Sequence, residues 1–137
     1  MIVADASVLV AILAEESDSE AFSQRLAALP AGSGRRFVST VSLWEAACAL
    51  ARIWRIDRIS ALGELNEFLG VTGIEPVAPD MAITALAIEA AERYGNGSGY
   101  PGILNLGDCF SYATAKHLGA ALLFKGDDFG RTDITPA

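Results

Sequence analysis

Met1-Ile2-Val3-Ala4-Asp5-Ala6-Ser7-Val8-Leu9-Val10-Ala11-Ile12-Leu13-Ala14 opens as a short apolar run, meets an acid, and passes at once into helical spacing. The run Met1 to Ala4 suits a strand buried on both faces, and Val8, Leu9, Ile12 and Leu13 then recur on one helix face. Strand-then-helix units recur along the chain. A helical pattern from Asp18 to Leu29 is broken by Pro30-Ala31-Gly32-Ser33-Gly34, and Arg36-Phe37-Val38-Ser39 follows as a second short strand. Two helices are predicted next, Val41 to Ile56 and Ile59 to Leu69, the second stopped by Gly70 and Gly73. Ile74 to Val77 reads as a strand and Pro79 to Tyr94 as a helix, with Pro79 at its start and Gly95 after its end. Beyond the glycine-rich stretch Gly95 to Gly102, expected to be a mobile loop, Asn105 to Leu118 reads as a helix closed by Gly119. Ala120 to Phe124 is the next strand, a Gly126-Asp127-Asp128 turn follows, and Thr132-Asp133-Ile134-Thr135 is expected to add a last short strand.

Short apolar strands alternating with helices predict an α/β fold with a mainly parallel sheet covered on both faces. The 137 residues fit a single domain spanning 1–137, with no repeat and no linker long enough to divide it. At 52% hydrophobic residues the chain is not a disordered one, and a chain of this size buries roughly two-thirds of its unfolded surface. No apolar stretch of about 18 residues is free of charges and turn signals, so no membrane span is expected. Asp5 interrupts the opening apolar run and no basic segment precedes it, so the start does not read as a signal peptide. Cys48 and Cys109 are too few for a disulfide framework and lack metal-ligand spacing, which points to reduced thiols and a cytoplasmic setting. A net charge of −7 argues against non-specific nucleic-acid binding, which rests on Lys and Arg, unless several carboxylates gather around a divalent cation.

The acids fall where such a sheet places ligands, outside the carboxyl ends of its strands. Asp5 ends the first strand, and Glu45 lies in the first turn of the helix after the Phe37 strand. Asp108 opens the helix after the glycine-rich loop, and Asp127 and Asp128 follow the Ala120 strand. Carboxylates gathered on one edge repel unless a cation binds among them, and an all-oxygen donor set suits Mg²⁺ or Mn²⁺. Such an ion activates water and stabilises charge on a phosphoryl group.

Each acid also has a purely structural account. Ser42-Leu43-Trp44-Glu45 matches a capping box, and Asn105-Leu106-Gly107-Asp108 matches an Asn cap with an acid in the favoured first turn. Asp5 is placed to cap the Ser7 helix, and Gly126-Asp127-Asp128 is ordinary turn chemistry. Capping and metal binding are compatible, and it is the combination of acids from separate elements that favours a site. His117 is the only histidine, which excludes His-rich metal sites and leaves a structural role. The glycine-rich loop lacks the Gly-Lys-Ser/Thr of a phosphate loop. Arg52, Arg55 and Arg58 read as a solvated ridge, and Trp44, Trp54 and Phe110 as core.

Four segments together resemble the PIN-domain ribonucleases, and within them the VapC-type toxins of toxin–antitoxin pairs. They are Asp5-Ala6-Ser7, Ser39-Thr40-Val41-Ser42-Leu43-Trp44-Glu45, Leu104-Asn105-Leu106-Gly107-Asp108-Cys109-Phe110 and Leu122-Leu123-Phe124-Lys125-Gly126-Asp127-Asp128-Phe129. The resemblance covers nearly the whole chain in family order. It implies a three-layer α/β/α PIN fold and a Mg²⁺- or Mn²⁺-dependent endoribonuclease that hydrolyses RNA phosphodiester bonds. Asp5 and Asp108 would be the principal metal ligands, Glu45 would complete the acidic site by orienting or deprotonating the attacking water, and Ser7 would support it. Many relatives carry Asp or Asn three residues before the Phe; that place is Gly126 here, so Asp128 is taken as the fourth acid ahead of Asp127. The resemblance also implies a homodimer, products with 5′-phosphate and 3′-hydroxyl ends, and neutralisation by a VapB-like antitoxin whose basic segment the acidic chain would attract. Arg35, Arg36, Lys125 and Arg131 are candidates for steering RNA.

Two other readings compete. A haloacid-dehalogenase-like phosphatase needs a second aspartate two residues after the nucleophile, where this chain has Ser7. A PIN-fold module that binds RNA or protein without catalysis draws support from the doubtful fourth acid alone.

Overall fold

The strand-then-helix units seen in the sequence assemble in a computed structural model that describes residues 1–29, 34–97, 99 and 102–137. In chain order they are β1 (Ile2–Ala4), α1 (Ala6–Leu13), α2 (Ser19–Ala27), β2 (Arg36–Ser39), α3 (Thr40–Trp54), α4 (Arg58–Thr72), β3 (Ile74–Val77), α5 (Met81–Tyr94), α6 (Leu106–Leu118) and β4 (Ala121–Leu123). Pro30 to Ser33, within the expected break, and Ser98, Tyr100 and Pro101, within the expected glycine-rich loop, lie outside the described residues.

The four strands form one sheet in the order β3-β2-β1-β4, and all three pairings are parallel. In register, Val3 of β1 faces Phe37 on one side and Leu122 on the other, so β1 is a central strand. Alternation along each strand divides the apolar side chains between two cores. Ile2, Ala4, Val38, Ile74 and Leu123 pack with Val8, Leu9, Leu26, Leu43, Leu50 and Leu65 of α1 to α4. Val3, Phe37 and Leu122 pack on the opposite face with Ile83, Ala87, Cys109, Tyr112 and Ala113 of α5 and α6. The result is three layers, helices on both sides of a parallel sheet, as expected for continuous apolar strands.

Two expectations need correction. Thr132 to Thr135 forms no strand; the tail meets the sheet only through an isolated bridge between Leu122 and Pro136. What holds the tail is Asp133, which accepts from the hydroxyl of Tyr112 at 2.6 Å and from Lys116 Nζ at 2.9 Å. Gly70 does not stop α4, which runs on to Thr72 and ends at Gly73, the C-cap residue, at φ 68°. A glycine inside a helix costs only about 1 kcal/mol, whereas the left-handed C-cap calls for glycine.

Candidate active site

Parallel strands all deliver their carboxyl ends to one edge, and the helices that follow begin there. Asp5 leaves β1 as the N-cap of α1, and its Oδ2 accepts from Ser7 N at 3.0 Å. Ser7 Oγ donates to the same oxygen at 2.6 Å and accepts from Lys125 N at 3.0 Å, which ties the end of β4 to Asp5. The other oxygen, Oδ1, accepts from Ser111 Oγ of α6 at 2.6 Å. Asp5 is buried, and both of its oxygens are held by short charge-assisted hydrogen bonds.

Asp108 sits in the first turn of α6 within a complete capping box. Asn105 Oδ1 accepts from Asp108 N at 2.9 Å, and Asp108 Oδ2 accepts from Asn105 N at 3.1 Å. The cap fixes Oδ2 and leaves Oδ1 with no hydrogen-bond donor among the described residues. The structural account of Asp108 therefore holds, and it orients the carboxylate without using it up.

Glu45 departs from its expected cap. Ser39, not Ser42, is the N-cap of α3 and accepts from Val41 N at 3.2 Å, and no capping bond involves Glu45. The Glu45 carboxylate instead lies against the backbone of α6 at Gly107, where any Cβ would fall on its carboxyl atoms. Glycine at 107 thus lets α6 approach the α3 acid with nothing between them.

The charges act on one another. The Glu45 carboxyl is raised to about 7, first by burial and then by the charges of Asp5 and Asp108. Asp108 is raised to about 6 by burial, against the lowering effect of the Asn105 N–H bond, with further upward pressure from Asp5 and Asp128. The salt bridges of Arg35, Arg93, Lys116 and Lys125 run to Glu75, Asp133, Glu16 and Asp18, not to these acids. Asp128 is exposed on the turn after β4, and its charge, not that of Asp127, is the one that reaches Asp108. The turn reverses at Gly126, φ 92°, and Phe129 re-enters the core 5.0 Å from the ring of Phe124. Asp5, Glu45, Asp108 and Asp128 are thus brought to one edge, while Asp127 spends its backbone carbonyl on Gly130 N.

A hard divalent cation fits this donor set, because every candidate ligand is a carboxylate oxygen and the carboxylates repel one another. Among the described residues no three His, Cys, Asp or Glu side chains already converge as a ligand cage. Mg²⁺ does not require one, because it keeps several waters and binds through one or two carboxylates.

The surrounding side chains correct other expectations. Trp44, beside Glu45, is 68% exposed and not core, because it occupies the outer face of α3. Trp54 and Phe110 pack at the edges of the two cores. Arg35 is engaged by Glu75 at 2.9 Å, Arg36 by the carbonyl of Leu26 at 2.6 Å, and Lys125 Nζ by Glu16 and Asp18. Lys125 is thus engaged beside the site, while Arg35 and Arg36 stand at the start of β2, on the opposite edge of the sheet. Arg52, Arg55 and Arg58 are exposed but share no helix face, because Arg55 is the left-handed C-cap of α3 and Arg58 begins α4. Ser111, which the sequence did not single out, and Ser42, read there only as a helix cap, are two buried hydroxyls 2.8 Å apart beneath the acids.

A PIN-domain family model matches residues 2–134. A VapC ribonuclease of Rhizobium meliloti is 39% identical over 140 residues, covering 95% of this chain and 96% of the relative. Ribonuclease VapC42 of Mycobacterium tuberculosis is 38% identical over 135 residues, covering 98% of each. Among solved structures, the sarcin-ricin loop cleaving toxin VapC20 of M. tuberculosis superposes with a TM-score of 0.77 at 17% identity, over 100% of this chain and 98% of its own. VapBC2 from Rickettsia felis, solved bound to a promoter DNA fragment, gives 0.74 at 18% identity, over 99% and 96%. With a family model across almost its whole length and relatives of this identity, the chain belongs to the PIN-domain family, with the VapC ribonucleases among its relatives.

Proposed function

We propose that this chain is a VapC-type endoribonuclease toxin that hydrolyses RNA phosphodiester bonds with the help of Mg²⁺ or Mn²⁺. The observation that carries the reading is the cluster of Asp5, Glu45, Asp108 and Asp128, brought from separate parts of the chain so that their charges act on one another. Asp5, Asp108 and Asp128 would hold the ion, with Ser7 fixing Asp5 and Asp127 standing aside. When bound, the ion supplies charge stabilisation at the phosphoryl group and a more acidic water.

Glu45 would orient the attacking water and accept its proton. Burial and the charges of Asp5 and Asp108 push its carboxyl upward, and a cation held among those acids would offset the repulsion and leave Glu45 ionised to take the proton at neutral pH. The products would carry 5′-phosphate and 3′-hydroxyl ends. A VapB-like antitoxin would neutralise the enzyme, its basic segment drawn to a chain of net charge −7. The solved relatives include a toxin–antitoxin complex from Klebsiella pneumoniae, with a TM-score of 0.68, and FitAcB from Neisseria gonorrhoeae, with 0.63. A homodimer acting in the cytoplasm completes the proposal; among the described residues no helix is long and apolar enough to cross a membrane.

The experiment is cleavage of total cellular RNA by the purified chain, free of antitoxin, in Mg²⁺, Mn²⁺ or EDTA, with Asp108→Asn as control. Discrete metal-dependent fragments with 5′-phosphate ends, absent from the variant, are expected. Cleavage that persists in EDTA refutes the carboxylate–metal mechanism, and a folded protein that binds RNA without cutting it points to the non-catalytic module.

A further inference from the structure

We propose that Ser42 and Ser111 form a buried hydroxyl relay that positions Asp5 for the cation and locks the three acid-bearing elements to one another. Ser111 Oγ lies 2.6 Å from Asp5 Oδ1, and Ser42 Oγ lies 2.8 Å from Ser111 Oγ. Both serines are 0% exposed. An ionised carboxylate only accepts, so the single proton of Ser111 is committed to Asp5. Ser42 must then donate to Ser111, and the relay has one direction: α3 to α6 to the end of β1.

Its place in the fold gives the relay its purpose. Ser42 precedes Glu45 by three residues on α3, and Ser111 follows Asp108 by three on α6, so each serine shares a helix face with its acid. The hydroxyls form a tier beneath the carboxylates. Any rotation of α3 or α6 that would displace Glu45 or Asp108 must also break this tier. Asp5 is consequently gripped from two sides, by Ser7 N and Oγ at Oδ2 and by Ser111 at Oδ1, and its one remaining lone pair, on Oδ1, is left with a fixed direction. Hydrogen bonds that orient a metal ligand typically govern affinity by about 10–100-fold.

The inference rests on the proposed acidic site, and Mn²⁺ alone is the probe. Calorimetric or EPR titration of the full chain with Mn²⁺ should show affinity falling about 10–100-fold in Ser111→Ala. A smaller loss is expected in Ser42→Ala, where Ser111 keeps its bond to Asp5. The double variant should bind no more weakly than Ser111→Ala, because Ser42 acts only through Ser111. Should Ser111→Ala fail to fold, Ser111→Cys keeps the volume close with a weaker donor and should show an intermediate affinity. Wild-type Mn²⁺ affinity in Ser111→Ala, or in Ser111→Cys if that variant replaces it, would overturn the relay and leave the site intact. So would independent, additive losses from the two serines. A wild-type chain that binds no Mn²⁺ would overturn both the relay and the metal site beneath the proposed function.

Discussion

Gly107→Ala tests the geometry of the acidic cluster most sharply, because stability and activity are expected to part company. A Cβ at 107 falls on the Glu45 carboxylate, and that carboxylate is the free end of a flexible side chain, not backbone. The side chain can swing outward for about 0.5–1.5 kcal/mol of rotamer strain. Against this, replacing a helical glycine by alanine gains roughly 0.5–1 kcal/mol. Moving Glu45 away from Asp5 and Asp108 also relieves the repulsion and burial that hold it at about 7. The net change in stability should therefore lie within about 1 kcal/mol of zero, a Tm shift of no more than about 5 °C for a domain of this size.

Activity should behave differently. If Glu45 takes the proton of the attacking water, losing its position should cost about 10²–10⁴ in rate. Glu45→Ala removes the clash, so Gly107→Ala in that background should change the rate no further while keeping the helix gain in Tm. The assay is cleavage of a defined RNA at saturating Mn²⁺, with calorimetry on the same samples. A Gly107→Ala protein that cuts at the wild-type rate would refute the placement of Glu45, and one that loses several kcal/mol would refute the claim that only a side chain must yield.

Other outcomes follow from the same structure. Glu45 and Asp108 have folded pKa values raised to about 7 and about 6, from 4.5 and 3.8, so the folded state binds more protons than the unfolded one. Their destabilising effect is absent below about pH 4, grows as pH rises through 6 and 7, and reaches on the order of 1–3 kcal/mol. Mn²⁺ should therefore raise Tm more at pH 8 than at pH 5, and an equal rise at both would contradict the repulsion. Asp133 is held down at about 2, chiefly by Tyr112 and then Lys116. Its stabilisation is present above pH 3.8 and disappears as pH falls toward 2; with the side chain 47% exposed, solvent screening leaves about 1 kcal/mol, which Asp133→Ala should remove in a denaturant titration. Trp44→Ala should leave the unfolding free energy unchanged within about 0.5 kcal/mol in a denaturant titration, since the indole is mostly exposed, and a large loss would show that it packs as core.

Much of the molecule was legible in the chain because the determining signals are local. A short apolar run needs only its neighbours to be read as a buried strand, and β1 and β4 lie where such runs occur, whereas β3, with Glu75 and Pro76 exposed, is an edge strand. Asn105 and Asp108 satisfy each other across one helical turn, so their capping box could be seen in the spacing alone. Parallel topology then sends Asp5, Glu45 and Asp108 to one edge without further information. The tail strand failed because alternation at Thr132 to Thr135 signals burial of Ile134 only; the tail reaches the open edge of β4 one step later, in the single bridge at Pro136, and Thr132 and Asp133 turn their bonds to Phe129, Tyr112 and Lys116 instead.

What required the tertiary structure was the rotation of each helix about its own axis. Ser39 and Ser42 are both acceptable caps by local pattern; the packing of α3 on α6 assigned the cap to Ser39 and turned Ser42 inward to Ser111. The same rotation leaves Trp44 outside, brings Glu45 against Gly107, and directs Ser111 at Asp5. Hydrogen-bond spacing along a chain reaches only a few residues, whereas Ser111 and Asp5 are 106 positions apart. The sequence alone therefore determined the elements and the edge on which the acids gather. Only the close packing of three elements decided which oxygen each acid offers and which hydroxyl holds it.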